Sequence, residues 1–407
     1  MKYGLIGEKL GHSYSKIIHE KLGNTEYTLT EVPKDEIEGF FKKADFSGIN
    51  VTIPYKKVAL GACHKLSDTA REIGSVNTVI KLADGTLFGD NTDAFGFEYM
   101  LDSKGIDPKG QKCIVLGSGG SSVMATYVLK KKGAASVTVI SRSGEDNYEN
   151  ISKHYGAGIV VNTTPVGMYP GNGQAPLDIT RFKNCKGVAD LIYNPKKTAL
   201  ILAAEKQNIP CVSGLVMLVA QAKRAHELFF DKKDDTDVLS LAGKISADMS
   251  NIVLIGMPGV GKSTVGKIIA KKLSRKFIDT DEEIVKCQGK SIPDIFATEG
   301  EAGFRKIESL VLADVCKMSG CVIACGGGVV TVPENIDVIR QNSTVFRIER
   351  PLNELSVKGR PLSANNGVEA LFKARDPLYK AAADHTVRSV TPTECAEKII
   401  KLHQNSN

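Results

Sequence analysis

Tryptophan is absent from this 407-residue chain, and aromatic residues of all kinds make up only 6% of it. No cluster of Lys and Arg is interleaved with aromatics, so nucleic-acid binding is not expected despite a net charge of +7. A modest basic excess equally suits a protein whose ligands are anions. Long apolar runs are missing too. No stretch approaches the roughly 20 residues of a membrane span, and the opening MKYGLIGEKLGHS lacks the pattern of a signal peptide. Both absences point to the cytoplasm and away from a membrane partner. The nine cysteines are scattered and odd in number, mostly within apolar runs such as KCIVLG and GCVIACGGG. Cys321 and Cys325 lie four apart with no second pair at metal-ligand spacing. They read as buried reduced thiols rather than a disulfide or zinc framework.

What is present is a globular composition, 42% hydrophobic and 24% charged with 39 glycines, in a chain long enough for two or three domains. Short β-branched runs alternate with helical segments, the signature of α/β layers with parallel strands. Strand candidates are GINVTI (48–53), KCIVLG (112–117), SVTVIS (136–141), GIVVNT (158–163), NIVLIG (251–256) and CVIACG (321–326). Ligand-binding loops are expected where such strands end. A charged, polar stretch follows a helix expected over 214–230, and a linker is expected at 231–249.

KCIVLGSGGSSVMATYVLKKKG reads as strand, glycine turn and helix. Gly117, Gly119 and Gly120 allow the backbone to approach a pyrophosphate at the positive end of the helix. A glycine turn required only by packing is the alternative. The next strand ends in Ser141-Arg142-Ser143, where an NAD site would carry an acidic residue for the ribose hydroxyls. A guanidinium flanked by hydroxyls suits a 2′-phosphate, hence NADPH. A solvated arginine in a turn is the bland reading. Upstream, GHSYS (11–15) puts Ser13 and Ser15 on one side of an extended segment. NVTIPYK (50–56) presents Lys56, and GDNTDAFG (89–96) places Asn91 and Asp93 before a helix. A lysine held by a carboxylate can supply the proton that a ketone needs when it accepts hydride. Lys56 and Asp93 form such a pair if the fold unites them.

In this order the motifs resemble shikimate dehydrogenase over residues 1–240. The resemblance implies that Ser13 and Ser15 bind the substrate carboxylate, that NVTIPYK holds Thr52 and the catalytic Lys56, and that Asp93 is the catalytic aspartate. GSVNT (74–78) resembles the segment with a substrate-binding asparagine, Asn77, and GLVMLVAQA (214–222) the helix with a substrate-binding glutamine, Gln221. NTTPVGM (162–168) resembles a cofactor-side loop. The chain departs from the family in HSYSKIIHE, with Lys16 and Glu20 where Pro and Asn are usual. Only 18 residues separate Ser143 from Asn162, so about one strand–helix unit is expected to be shortened or lost from the cofactor lobe.

NIVLIGMPGVGKSTVGKIIAKKL contains Gly256-x-x-x-x-Gly261-Lys262-Ser263 between a strand and a helix. Backbone N–H groups that cradle phosphates, a lysine for the β/γ oxygens and a hydroxyl for Mg²⁺ are all there, with Gly259 and Thr264 in the same loop. KFIDTDEEI then sets Asp279 and Asp281 on one face of an extended chain. Asp279 suits the Mg²⁺ shell, which leaves Asp281 to hold an acceptor hydroxyl or take its proton as a catalytic base. An acidic helix N-cap is the alternative. Arg305, Arg360 and Arg375 offer forks for carboxylate or phosphoryl groups. The sequence GMPGVGKST, DTD, GEAGFRKIE, CGGGVV, GRPL and ARDPLY resembles shikimate kinase over 250–390. The resemblance implies that Asp281, Arg305, Arg375 and Gly326, Gly327 and Gly328 bind shikimate, with Arg360 in a lid (roughly 353–363) over ATP.

The expectation is a bifunctional α/β chain. Residues 1–100 plus 212–240 form a dehydroshikimate lobe, 101–211 a shortened Rossmann-like NADP lobe, and 250–407 a P-loop kinase domain with a parallel sheet. NADPH, ATP and Mg²⁺ serve reduction of 3-dehydroshikimate and phosphorylation of shikimate, and a homo-oligomer is compatible with the sequence. Two rivals are a front half that only binds shikimate and a front half that is a quinate or NAD-linked dehydrogenase.

Overall fold

Tyr3–Gly7 (β1), Tyr27–Glu31 (β2) and Gly48–Val51 (β3) are short β-branched runs, and they pair side by side in parallel. They belong to a computed structural model that describes residues 2–11, 13–355, 367–388 and 391–405. Lys65–Leu66 (β4), Thr78–Lys81 (β5) and Leu87–Asp90 (β6) complete a mixed sheet of order β2-β1-β3-β5-β6-β4, with β5 antiparallel to both β3 and β6. Its core contains Ile6, Ile49, Val51, Val76 and Val79, all buried.

A second sheet has order β11-β10-β9-β7-β8, all parallel. Its strands are Lys112–Leu116 (β7), Ser136–Ile140 (β8), Ile159–Asn162 (β9), Gly187–Asp190 (β10) and Cys211–Ser213 (β11). The chain leaves β7 for β8 on one side and returns to β9 on the other. The crevice beyond β7 and β9 is thus the switch point where such sheets take ligands. The shortening expected between Ser143 and Asn162 is resolved here. No further strand lies between β8 and β9, β8 is the edge of the sheet, and a single 3₁₀ turn, Ile151–His154, is the one regular element of the connection. Ile151 and Tyr155 pack on the core, Tyr155 edge-on to Phe182 at 5.2 Å.

The third sheet, order β13-β14-β12-β15-β16, is parallel throughout. It comprises Asn251–Ile255 (β12), Phe277–Asp279 (β13), Val322–Ala324 (β14), Ser343–Glu349 (β15) and His385–Arg388 (β16). Ile252, Val253, Leu254 and Ile255 are all fully buried, as strands covered on both faces require.

The chain divides into two compact units. One comprises Met1–Met168, Gln174–Tyr193 and Leu200–Gly243, the other Tyr169–Gly173, Asn194–Ala199 and Lys244–Asn407. The stretch 231–249, expected as a linker, is helical from Val238 to Met249. Val238, Leu241, Ala242 and Ile245 are buried at helical spacing. The charges of DKKDDTD suggest an exposed connection, but the apolar period of three and four that follows makes a helix with a face to bury. All nine cysteines are reduced thiols. Among the described residues no helix is long and apolar enough to cross a membrane.

Candidate active sites

In the first unit, two helix starts bring the reacting groups together. Lys56 is the first residue of the helix Lys56–Ala62, just beyond the end of β3. Asp93 lies in the first turn of the helix Thr92–Asp102, just beyond β6. Lys56 Nζ donates to Asp93 Oδ2 at 2.5 Å, and Asn77 Nδ2 donates to Asp93 Oδ1 at 2.9 Å. Asn77 is itself fixed, because its Oδ1 accepts from the Thr92 N–H at 2.7 Å. Gln221 arrives from the helix Leu215–Phe230, where its Oε1 accepts from Thr92 Oγ1 at 3.4 Å and lies 3.5 Å from Asn77 Nδ2. Gly96 permits this approach: a Cβ there would lie 2.5 Å from the Met217 carbonyl oxygen and 2.9 Å from Gln221 Cβ.

Ser13, Ser15, Thr52, Lys56, Asn77, Asp93 and Gln221 all line one cavity of about 380 Å³. Asn50 and Tyr193 line it as well, and the sequence alone does not point to them. Asn50 is buried between Tyr27, whose hydroxyl it accepts at 2.8 Å, and Thr78, whose Oγ1 accepts from Asn50 Nδ2 at 3.0 Å. No local spacing announces either residue. Tyr193 follows β10, far along the chain from the other groups.

Beyond β7, Gly117 takes φ 103°, and a Cβ on it would lie 2.9 Å from Thr163 Oγ1. The glycine turn therefore packs on the loop 162–168, as close approach of two backbones requires. The helix Gly120–Lys131 begins with no side-chain cap, and both Gly119 and Gly120 face open space where a Cβ would project. An uncapped N-terminus flanked by bare backbone fits a pyrophosphate. At the end of β8, Ser141 N donates to the Asp146 carbonyl at 3.1 Å as the chain folds back. Arg142 projects exposed beside it. These residues fit a phosphorylated ribose.

In the second unit, Gly256, Gly259 and Gly261 have φ of 141°, 86° and 100°. A Cβ on Gly256 would lie 2.6 Å from the Ile348 carbonyl oxygen, so glycine is required there twice over. Lys262 opens the helix Lys262–Leu273, and its Nζ donates to the Gly256 and Met257 carbonyls at 2.9 and 3.2 Å. Ser263 Oγ donates to Asp279 Oδ2 at 2.6 Å. The other Asp279 oxygen accepts from the Asp281 N–H at 3.1 Å, capping the helix Thr280–Gln288. The two readings of this aspartate are thus compatible, one per oxygen.

Gly259, Gly261, Lys262, Ser263, Thr264, Asp279, Asp281, Arg305, Arg375 and Gly326 to Gly328 line a cavity of about 470 Å³. The glycine run is dictated by what surrounds it. A Cβ on Gly326 would lie 2.8 Å from Asp281 Oδ1, and one on Gly328 would fall inside the Arg305 guanidinium. Arg375 Nη1 donates to the Gly327 carbonyl at 3.0 Å, and the Tyr379 hydroxyl donates to the same oxygen. Arg305 pairs with Glu308 at 2.7 Å and lies over the Phe304 ring. Phe296, Phe304 and Glu308 also line the cavity, beyond the residues expected from sequence. Glu308 had a signal, its position three residues after Arg305 on a helix. Burial, first, and then the neighbouring Asp279 raise the Asp281 carboxyl to about 6. Burial likewise raises that of Glu308. Arg360 and most of the expected lid lie outside the described residues.

The folds and sites define a two-lobed dinucleotide-dependent oxidoreductase followed by a P-loop phosphotransferase. A family model described as shikimate dehydrogenase substrate binding domain matches residues 5–79, and one described as shikimate kinase matches 258–404. The NADP(+) shikimate dehydrogenase of Caldicellulosiruptor bescii is 37% identical over 260 residues, covering 56% of this chain and 89% of that protein. A chorismate mutase/shikimate 5-dehydrogenase fusion protein from Clostridium acetobutylicum is 36% identical, covering 59% of this chain and 94% of that one at a TM-score of 0.55. The shikimate 5-dehydrogenase of Thermus thermophilus, solved with NADP(H) and shikimate, is 29% identical. It covers 60% of this chain and 97% of that one, with a TM-score of 0.54. The chain belongs to the shikimate dehydrogenase family, with a shikimate kinase domain fused behind it. It is a bifunctional shikimate-pathway enzyme that combines NADP-linked oxidoreductase and kinase activities.

Proposed function

We propose that the first unit reduces 3-dehydroshikimate to shikimate with NADPH and that the second phosphorylates shikimate at the expense of ATP. The observation that carries this reading is the Lys56–Asp93 pair inside the cavity lined by Ser13, Ser15, Asn77 and Gln221. A front half that only bound shikimate would not need a lysine and a carboxylate held at 2.5 Å.

NADPH, when bound, supplies the hydride, and the chain's own residues do the rest. Ser13 and Ser15 take the substrate carboxylate, and Asn77 and Gln221 orient its hydroxyls. Lys56 donates the proton that the carbonyl oxygen needs, while Asp93 keeps the ammonium aimed into the cavity. Arg142 favours a 2′-phosphate, and so NADPH over NADH. In the second unit Gly256, Gly259, Gly261, Lys262 and Thr264 cradle the nucleotide phosphates. Ser263 and Asp279 fit a Mg²⁺ ion, which neutralises phosphate charge when bound. Arg305 and Arg375 hold the acceptor's carboxylate with the backbone of Gly326 to Gly328. Asp281 accepts the proton of the attacking hydroxyl, and its raised pKa makes it a better base than an exposed aspartate.

The test is a coupled assay on the purified full chain with 3-dehydroshikimate, NADPH, ATP and Mg²⁺. NADPH oxidation and shikimate 3-phosphate formation are both expected, with NADH a poor substitute. Phosphorylation of added shikimate by a chain that oxidises no NADPH with 3-dehydroshikimate would favour the binding-only front half, and preference for NADH would remove Arg142 from its role.

A further inference from the structure

The helix Val368–Ala382 carries Arg375, and side chains of its middle turn reach both the Gly326–Gly328 run and β15. Pro377 lies inside the helix. A proline has no N–H, so the Lys373 carbonyl has no partner in the helix ladder at this turn. From one side Arg375 and Tyr379 donate to the Gly327 carbonyl. From another, Arg347 of β15 pairs with Asp376, the residue next to Arg375.

Arg347 is only 3% exposed, on a strand whose neighbours Val345, Phe346 and Ile348 are buried and apolar. Its Nη2 also meets Glu349 Oε1 at 2.5 Å, and the second Asp376 oxygen takes Lys380 Nζ at 2.8 Å. Arg388 reaches the other oxygen of Glu349 at 3.6 Å. Packing alone would be served by an aliphatic residue here, since a buried ion pair adds little to stability over a well-packed apolar pair. What the pair adds is direction. Rotation of the helix that moved Arg375 off Gly327 would also pull Asp376 from Arg347 and leave the buried guanidinium with Glu349 as its one carboxylate partner among those described. Neither Arg347 nor Asp376 lines the cavity.

We propose that the Arg347–Asp376 pair is a positioning device for Arg375, setting the kinase's affinity for its carboxylate-bearing acceptor without touching it. This rests on the reading that Arg375 binds that acceptor. The experiment uses the full chain and compares Asp376→Asn with Arg375→Ala by the KM of the kinase reaction for shikimate and, separately, for ATP, a readout that shikimate bound in the first unit does not enter. Asp376→Asn is expected to weaken shikimate binding on the order of tenfold, as misplacement of a binding group does, with ATP affinity nearly unchanged and a lower melting temperature, because buried Arg347 loses one of its two carboxylate partners. Asp376→Glu, which keeps the charge on a longer arm, should fall between, and it provides the same comparison if Asp376→Asn does not fold. If Arg375→Ala weakens shikimate binding while both Asp376 variants bind it like the wild type, the positioning role is overturned and the acceptor assignment stands. If Arg375→Ala itself has no effect, the assignment fails and the proposal with it. Equal losses for shikimate and ATP would make the pair a packing element and overturn the proposal.

Discussion

Lys56 and Asp281 each have an aspartate as neighbour, but their environments differ. Lys56 remains partly accessible and is oriented by Asp93, which Asn77 holds in turn. Replacing it with Met should cut 3-dehydroshikimate reduction on the order of 10²–10⁴-fold, the usual worth of a positioned proton donor. Phosphorylation of shikimate by the same preparation should be unchanged, which separate assays of NADPH and ATP turnover would check. Asp281 is shifted up to about 6 by burial and by Asp279. As a base it must be ionised, so kinase turnover should fall as pH is lowered through about 6. Stability has the opposite sense. A carboxyl whose folded pKa is raised binds its proton more tightly when folded, so its contribution is full at low pH and is lost as pH rises to about 6. At neutral pH a rise of that size costs about 3 kcal/mol. Asp281→Asn should therefore abolish phosphorylation yet raise the melting temperature of the second unit at pH 8. Calorimetry at pH 4 and pH 8 should show this gain only at the higher pH.

At the scale of elements, glycines decide how closely segments approach. Gly96 lets the helices Thr92–Asp102 and Leu215–Phe230 meet, and the second of these delivers Gln221. In Gly96→Ala the new methyl meets backbone rather than a flexible side-chain end, so the helices must part. Such overpacking costs about 1–3 kcal/mol. Dehydrogenase KM for 3-dehydroshikimate should rise while KM for NADPH stays near the wild-type value, measured by steady-state kinetics. Much of this is legible in the sequence. The glycine loops at 117–120 and 256–261 declare themselves because only glycine adopts left-handed backbone freely, and all six strand candidates are found as strands. The crossover between β8 and β9 is not legible. Its length shows that a strand–helix unit is reduced, but that a 3₁₀ turn takes its place depends on packing of Ile151 and Tyr155 against residues such as Phe182, which are distant in sequence. The helix Val238–Met249 reads as linker because the charges before it outweigh its own apolar period.

At the scale of the whole chain, the two units do not follow one cut in the sequence. The second takes Tyr169–Gly173 and Asn194–Ala199 as well as everything from Lys244 onward. Division between Gly243 and Lys244 should yield a front fragment that oxidises NADPH, since every residue of its cavity is retained. The rear fragment should still consume ATP but melt at a lower temperature than the second unit of the full chain, having lost two of its segments. Calorimetry and activity of each fragment would check this, and activity regained only on mixing would contradict it. By itself the sequence determined the α/β class, both phosphate loops, the candidate reacting residues and their families. These are written in local backbone requirements and in motifs a few residues long. Tertiary structure alone decided that Lys56 meets Asp93, that Gln221 reaches Asn77, that Asn50 and Tyr193 join the first cavity, and that Arg347 is buried against Asp376. Each of these depends on strand order and helix packing that bring distant residues within a few ångströms, and no short-range pattern encodes such distances.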